Sequence, residues 1–175
     1  MRTTSRHMVA LAVIASAVAA CEQSTAVPSA PRTAPAGPNL TAGIGFSNGT
    51  LARTNLGEIN WESNLNGFNV QLKTKDNADV EVTSGFANAG GNSGWHYHPG
   101  PVLVLVKTGA VTLYHADDPE CRGTVYPAGT TFIEGSTPHI VRNEGAVTSE
   151  FNGVFFVPAG QPRRIESNVP GNCPF

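Results

Sequence analysis

Residues 90–115 read GGNSGWHYHPGPVLVLVKTGAVTLYH. Two runs rich in Val and Leu, Val102 to Lys107 and Ala110 to His115, flank Thr108-Gly109. That pattern predicts two strands joined by a tight hairpin, because glycine takes the positive φ such turns demand. Ahead of them, Gly90 to Gly94 reads as a loop that leads directly into His96-Tyr97-His98. Side chains alternate along an extended chain, so His96 and His98 point to one side and can chelate a single ion, while Tyr97 faces away. Trp95 shares the parity of Tyr97 and stands at the start of the strand, where it either caps a cavity or packs.

The same texture extends in both directions. Short runs rich in Val, Ile, Thr and Phe recur at Thr50 to Arg53, Phe68 to Lys73, Asp79 to Ser84, Thr131 to Glu134, His139 to Asn143, Glu150 to Val157 and Arg163 to Glu166. Gly, Asn, Asp and Pro separate them, and beyond Leu40 no window sustains a helical period. Short strands punctuated this way predict an all-β sandwich or barrel. Val104, Val106, Phe132 and Phe156 are assigned to its core. The Gly-rich loop lacks the Lys and following helix of a phosphate cradle. His115, beside Asp117-Asp118, reads as exposed, and Arg163-Arg164 as solvated surface.

The first forty residues have a different character. Arg2 and Arg6 precede a stretch from Met8 to Ala19 that is apolar apart from Ser16, and small residues follow to Ala20. Residues 1–20 are therefore expected to be an export signal, too short in its apolar part to span a bilayer, which takes roughly 20 residues. Residues 21–40 hold Pro28, Pro31, Pro35 and Pro38 among Ala, Ser and Thr, and read as a flexible tether that cannot bury enough surface to fold. Residues 41–175 form the single domain, extracytoplasmic and either secreted or held at the cell envelope. With Arg2 and Arg6 set aside, nine Lys and Arg face thirteen Asp and Glu, a formal charge of −4. Such a balance gives no reason to expect a nucleic acid as partner.

Cys21 ends the run Val18-Ala19-Ala20-Cys21, which resembles a lipoprotein signal box with the cysteine as lipidation site; ordinary cleavage nearby is the other reading. Cys121 and Cys173 are then an even pair in an oxidising compartment and are expected to form a disulfide. Closing a loop of that length stabilises by roughly 4 kcal/mol in the chain-entropy model.

His139 lies on another expected strand, after Thr137-Pro138. Three imidazoles suit Zn, Fe, Mn, Ni or Cu better than Ca or Mg, which prefer oxygen ligands. Around these histidines the chain resembles the cupin family, small jelly-roll or double-stranded β-helix barrels with a ligand or metal cavity between their sheets. Its first motif sets a Gly ahead of His-x-His with five residues between them, then a Glu and a closing Gly; here Gly90, His96-Tyr97-His98 and Gly109 match, and Val102 fills the Glu slot. Its second motif joins Pro-x-Gly to a later His and Asn, as Pro127-Ala128-Gly129, His139 and Asn143 do over a longer gap. The chain also looks like an exported single-domain branch carrying Gly-Trp-His-x-His-Pro-Gly-Pro and ending in Gly-Asn-Cys-Pro, as Gly94 to Pro101 and Gly171 to Pro174 do.

The resemblance implies a divalent transition metal on His96, His98 and His139, with open positions for a small-molecule ligand or substrate. Val102 cannot donate an oxygen. Glu134 shares the face of Phe132, so it either replaces the missing carboxylate or forms a salt bridge at the rim. Trp95, Val102 and Phe132 are the side chains expected around the pocket. An enzyme of this kind would use the metal as a Lewis acid or oxygen-activating centre, in oxygenase or isomerase-like chemistry, and the sequence names no base. The competing reading is a metal-free binding or interaction module displayed at the cell surface. Oligomeric state, a homodimer included, is left open.

Overall fold

The computed structural model describes residues 40–175, and the expected signal, most of the tether and the lipidation site at Cys21 lie outside them. Twelve β-strands and no helix make up the described chain. Five strands form one half of a barrel: β1 (Ile44–Gly57), β4 (Ala78–Asn92), β11 (Ser149–Pro158), β6 (Val102–Thr108) and β9 (Thr131–Glu134), hydrogen-bonded in that order. The other half contains β10 (His139–Arg142), β7 (Ala110–His115) and β8 (Thr124–Pro127), with the two-residue strands β5 (His96–Tyr97) and β12 (Ile165–Glu166) on the far side of β10. A single antiparallel pair, Asn92 with Arg142, joins the halves, so the whole is a nearly closed antiparallel jelly-roll barrel, as expected.

Alternate residues from both halves fill the interior. Val102, Val104 and Val106 from β6 meet Val111 and Leu113 from β7, Phe132, Val141, and Phe151, Phe155 and Val157 from β11. Phe156, expected in the core, points outward instead, because its neighbours Phe155 and Val157 take the inward parity of β11. On β4 the alternation runs against its hydrophobicity: Asp79, Glu81 and Thr83 are buried, while Val80 and Val82 are only half-buried on the outer face. The inward carboxylates are neutralised from neighbouring segments. Arg53 donates to Asp79 at 2.7 Å and to Glu81 at 3.2 Å, and Arg163 pairs with Glu81.

The expected hairpin at Thr108-Gly109 is not one. β6 pairs with β11 and β9, whereas β7 pairs with β10 and β8, so the chain turns a barrel corner here and changes halves. Gly109 has φ 69°, and a Cβ there would collide with Ser149, so glycine serves the corner rather than a hairpin. Local sequence shows a turn between two strands but not which strands pair. β4 also continues through the expected loop to Asn92, held by the ladder with β1. A genuine hairpin stands elsewhere: β2 (Asn60–Leu65) and β3 (Phe68–Lys73) form a separate two-stranded sheet around Asn66-Gly67, both with positive φ.

Outside the second half, Trp95, Ile140 and Cys173 make a smaller cluster with Tyr114, Val169 and Phe175. The Cys121–Cys173 disulfide, with a Cα separation of 5.4 Å, ties this C-terminal segment down.

Candidate metal centre

His96 and His139 are direct partners across the β5–β10 ladder. His98 follows β5, its backbone N–H donating to the Gly135 carbonyl at 2.9 Å, which draws it toward the end of β9. There Glu134 sits opposite Val102 across the β6–β9 ladder. The chain thus carries a carboxylate on the strand adjoining the Glu slot of the first motif, on the same inward face. Ligand atoms of His96, His98, Glu134 and His139 all lie within 4.8 Å of one another, and all four residues are buried.

Each ring is held from behind. Nδ1 of His96 lies 2.8 Å from the Gly94 carbonyl, that of His98 2.6 Å from the Arg163 carbonyl, and that of His139 2.7 Å from the Thr137 carbonyl. A carbonyl only accepts, so each Nδ1 carries a proton and donates it, and Nε2 is the ring nitrogen left for a metal. Backing of this kind orients metal-ligating histidines. Forward, Glu134 lies 3.3 Å from His98 Nε2 and 3.4 Å from His139 Nε2. Those are ion-pair distances, yet neither contact is aligned as a hydrogen bond, and His98 Nε2, His139 Nε2 and Glu134 Oε1 are buried without a partner. Buried polar atoms left so are costly. A cation among them satisfies all three, and two ligand–ligand gaps near 3.4 Å match the edge of a tetrahedron whose ligands lie about 2.0–2.1 Å from its centre.

Burial lowers the pKa of His96 well below its ordinary value, and the positive charge of Arg164 lowers it further, so this ring is neutral. Burial by itself would raise the Glu134 carboxyl, but His139 and His98 outweigh it and hold the group ionised, below the usual carboxylate range. The set offers three imidazoles and one carboxylate, the donor chemistry of a divalent transition metal.

Of the side chains expected around the pocket, Val102 and Phe132 belong to the core cluster, and Trp95 lies outside the cavity with its indole N–H donating to the Phe175 carbonyl at 2.6 Å. The cavity itself, about 30 Å³, is bordered by His96, His98 and Glu134, by Phe46, Phe151 and Phe155, and by Asn48. Parity explains the miss for Trp95: with His96 inward, its neighbour must face out. Phe46 and Asn48 come from the part of β1 that its Gly, Ser and Asn content concealed. His115 is half-buried rather than exposed, its ring 6.1 Å from that of His139. Arg163 and Arg164 are not solvated surface either. Arg163 holds His98 through its carbonyl, and Arg164 donates to the Ser93 carbonyl at 2.7 Å and to Glu166 at 2.6 Å. Asn143, part of the second motif, stands apart from the cluster: its side chain bridges the Ala87 and Val147 carbonyls at 2.8 and 2.7 Å.

No protein-family model matches the chain, and no curated protein does. Several solved structures superpose in part. An oxalate oxidase is 21% identical with a TM-score of 0.39, over 45% of this chain and 42% of that one. The polyketide cyclase RemF from Streptomyces resistomycificus is 18% identical with a TM-score of 0.44, over 53% of this chain and 63% of the other. An uncharacterised double-stranded β-helix protein from Klebsiella pneumoniae is 19% identical with a TM-score of 0.44, over 66% and 89%. The chain thus spans less than half of the oxidase, and the barrel assignment rests on its own strand pairing.

Proposed function

We propose that this chain is an exported cupin-type protein that holds a divalent transition metal through His96, His98, His139 and Glu134. The observation that carries the reading is the convergence of buried, unpartnered Nε2 and carboxylate atoms whose rings are each fixed from behind by a carbonyl. A metal bound there supplies Lewis acidity or redox chemistry to a ligand at its remaining positions. The protein's own part is to orient the rings, keep Glu134 ionised and exclude bulk water with Phe46, Phe151 and Phe155. A cavity of about 30 Å³ holds one or two water-sized molecules, which favours a small ligand over a bulky organic substrate. No side chain beside it is assigned as a base, and the reaction class stays unassigned.

Export through residues 1–20, a tether at 21–40 and lipidation at Cys21 belong to this proposal on the sequence alone. The disulfide supports an oxidising compartment. The second reading, a metal-free module displayed at the cell surface, draws on the 3.3 and 3.4 Å contacts of Glu134, since protonated imidazoles also suit them. Metal analysis of protein purified without chelator, followed by its Co(II) absorption spectrum, separates the two. About one equivalent of metal and intense tetrahedral d–d bands are expected; protein that carries none and takes up no Co(II) belongs to the metal-free reading.

A further inference from the structure

The two halves of the barrel differ in what covers them. Ile140 and Tyr114, outward on β10 and β7, pack under the C-terminal segment that the disulfide holds in place. Among the described residues the outer face of the first half has no such cover. Reading across its ladders, Ile133, Leu103, Val154, Val82 and Ala52 stand in register, one aliphatic row over five strands. Ile133 is 66% exposed, and Leu105 beside the row is 41% exposed. The face carries Lys107 and Glu150 at one end, and these pair with each other at 3.1 Å. A sheet apolar on both sides needs a layer on each.

The β2–β3 hairpin has the same property in smaller form. Trp61 with Leu72, Ser63 with Val70 and Leu65 with Phe68 share one face, and Asn60, Glu62, Asn64 and their partners Lys73, Gln71 and Asn69 share the other. The apolar ribbon is open: Trp61 is 52%, Leu65 68% and Phe68 72% exposed. A two-stranded hairpin alone is marginally stable, and contiguous exposed apolar surface marks a contact site.

We propose that the hairpin is an exchange arm: two copies of this chain associate about a two-fold axis, each laying its apolar ribbon across the uncovered β9–β6–β11–β4–β1 face of the other. Dimensions agree. Six residues of hairpin run about 20 Å, and five strands span about 19 Å. The ribbon contributes no charge and the face only an internally neutralised pair, which suits a self-complementary apolar contact and not an acidic or basic partner. The base of the arm already borders this face, where Leu72, Leu103 and Phe156 line a groove of about 460 Å³. Each ribbon offers roughly 400 Å² of apolar surface; counted with the surface it covers, two arms bury about 1,600 Å², the size of a standard stable interface.

Sedimentation velocity on the purified protein, from tens of micromolar downward, tests this. The wild type is expected to be a dimer, and Phe68→Glu and Ile133→Lys are each expected to raise its dissociation constant at least tenfold. Glu62→Lys, on the polar face of the arm, should change nothing. All these side chains are exposed, so unfolding midpoints measured in parallel should stay close to the wild type. A wild type monomeric throughout, or a dimer indifferent to Phe68→Glu, overturns the proposal. A monomer that floats with phosphatidylcholine vesicles would overturn it too and make the ribbon a lipid contact.

Discussion

Replacing Val102 by Glu puts the carboxylate back where the first motif has it, and the structure predicts that the apo protein suffers for it. Val102 is wholly buried, and its partner across the ladder is Glu134. Directly opposed side chains have Cβ atoms about 4.5–5.5 Å apart. Two like charges at about 5 Å repel by roughly 3 kcal/mol at an effective dielectric constant of about 20. Lost apolar burial adds about 1–2 kcal/mol. The sum, about 4–5 kcal/mol, is a large part of the 5–15 kcal/mol that holds a typical domain together. Urea unfolding of Val102→Glu in chelator should show this loss near neutral pH, with a smaller deficit in acid once one carboxyl takes up a proton. Added Zn²⁺ should return more stability to the variant than to the wild type, since two carboxylates then share one dication. A variant as stable as the wild type in chelator would refute the argument, because it would mean that position 102 does not face an ionised Glu134.

Asn143→Ala should destabilise the domain by about 3 kcal/mol without altering metal affinity, because it breaks three hydrogen bonds, to Ala87, Val147 and Gly145, at about 1 kcal/mol each; denaturant titration and calorimetry read the two quantities. Apo stability should fall with acid in two stages. His96 has its pKa lowered in the fold, so the unfolded chain binds the extra proton and stability is lost as pH drops through about 6.5, at up to about 1.4 kcal/mol per pH unit for one proton. Asp79, lowered to about 2 by the Gly160 N–H, Asn55 and Arg53, contributes stability present above its ordinary 3.8 and lost as pH falls toward 2. Glu134, held below the usual carboxylate range, adds to this lower stage; urea midpoints across the range check both, and replacing Asp79 with Asn should shrink the lower stage without removing it.

Much of the barrel was legible in the chain. Period-two spacing put His96 and His98 on one side, the His-x-His pair and the later His139 proved to share one cluster, and the cysteine count matched the disulfide found. What stayed hidden depends on partners distant in sequence. Parity allowed Glu134 to face inward, but only its pairing with Val102 makes it the neighbour of the histidines. Asp79 and Glu81 occupy the inward face that hydrophobicity assigns to Val80 and Val82, because Arg53 and Arg163 neutralise them from other strands and loops. Thr108-Gly109 has the composition of a hairpin, and the choice between hairpin and barrel corner is made by β10 and β11, more than thirty residues away.

The central claim is that the three histidines hold one ion. Titrating chelator-treated protein with Zn²⁺ in a calorimeter, for the wild type and for His139→Ala, tests it most directly. One site per chain is expected, weakened at least about 100-fold in the variant, with the apo fold intact by circular dichroism. Equal affinity in the two proteins would contradict the account and return the cavity to the metal-free reading.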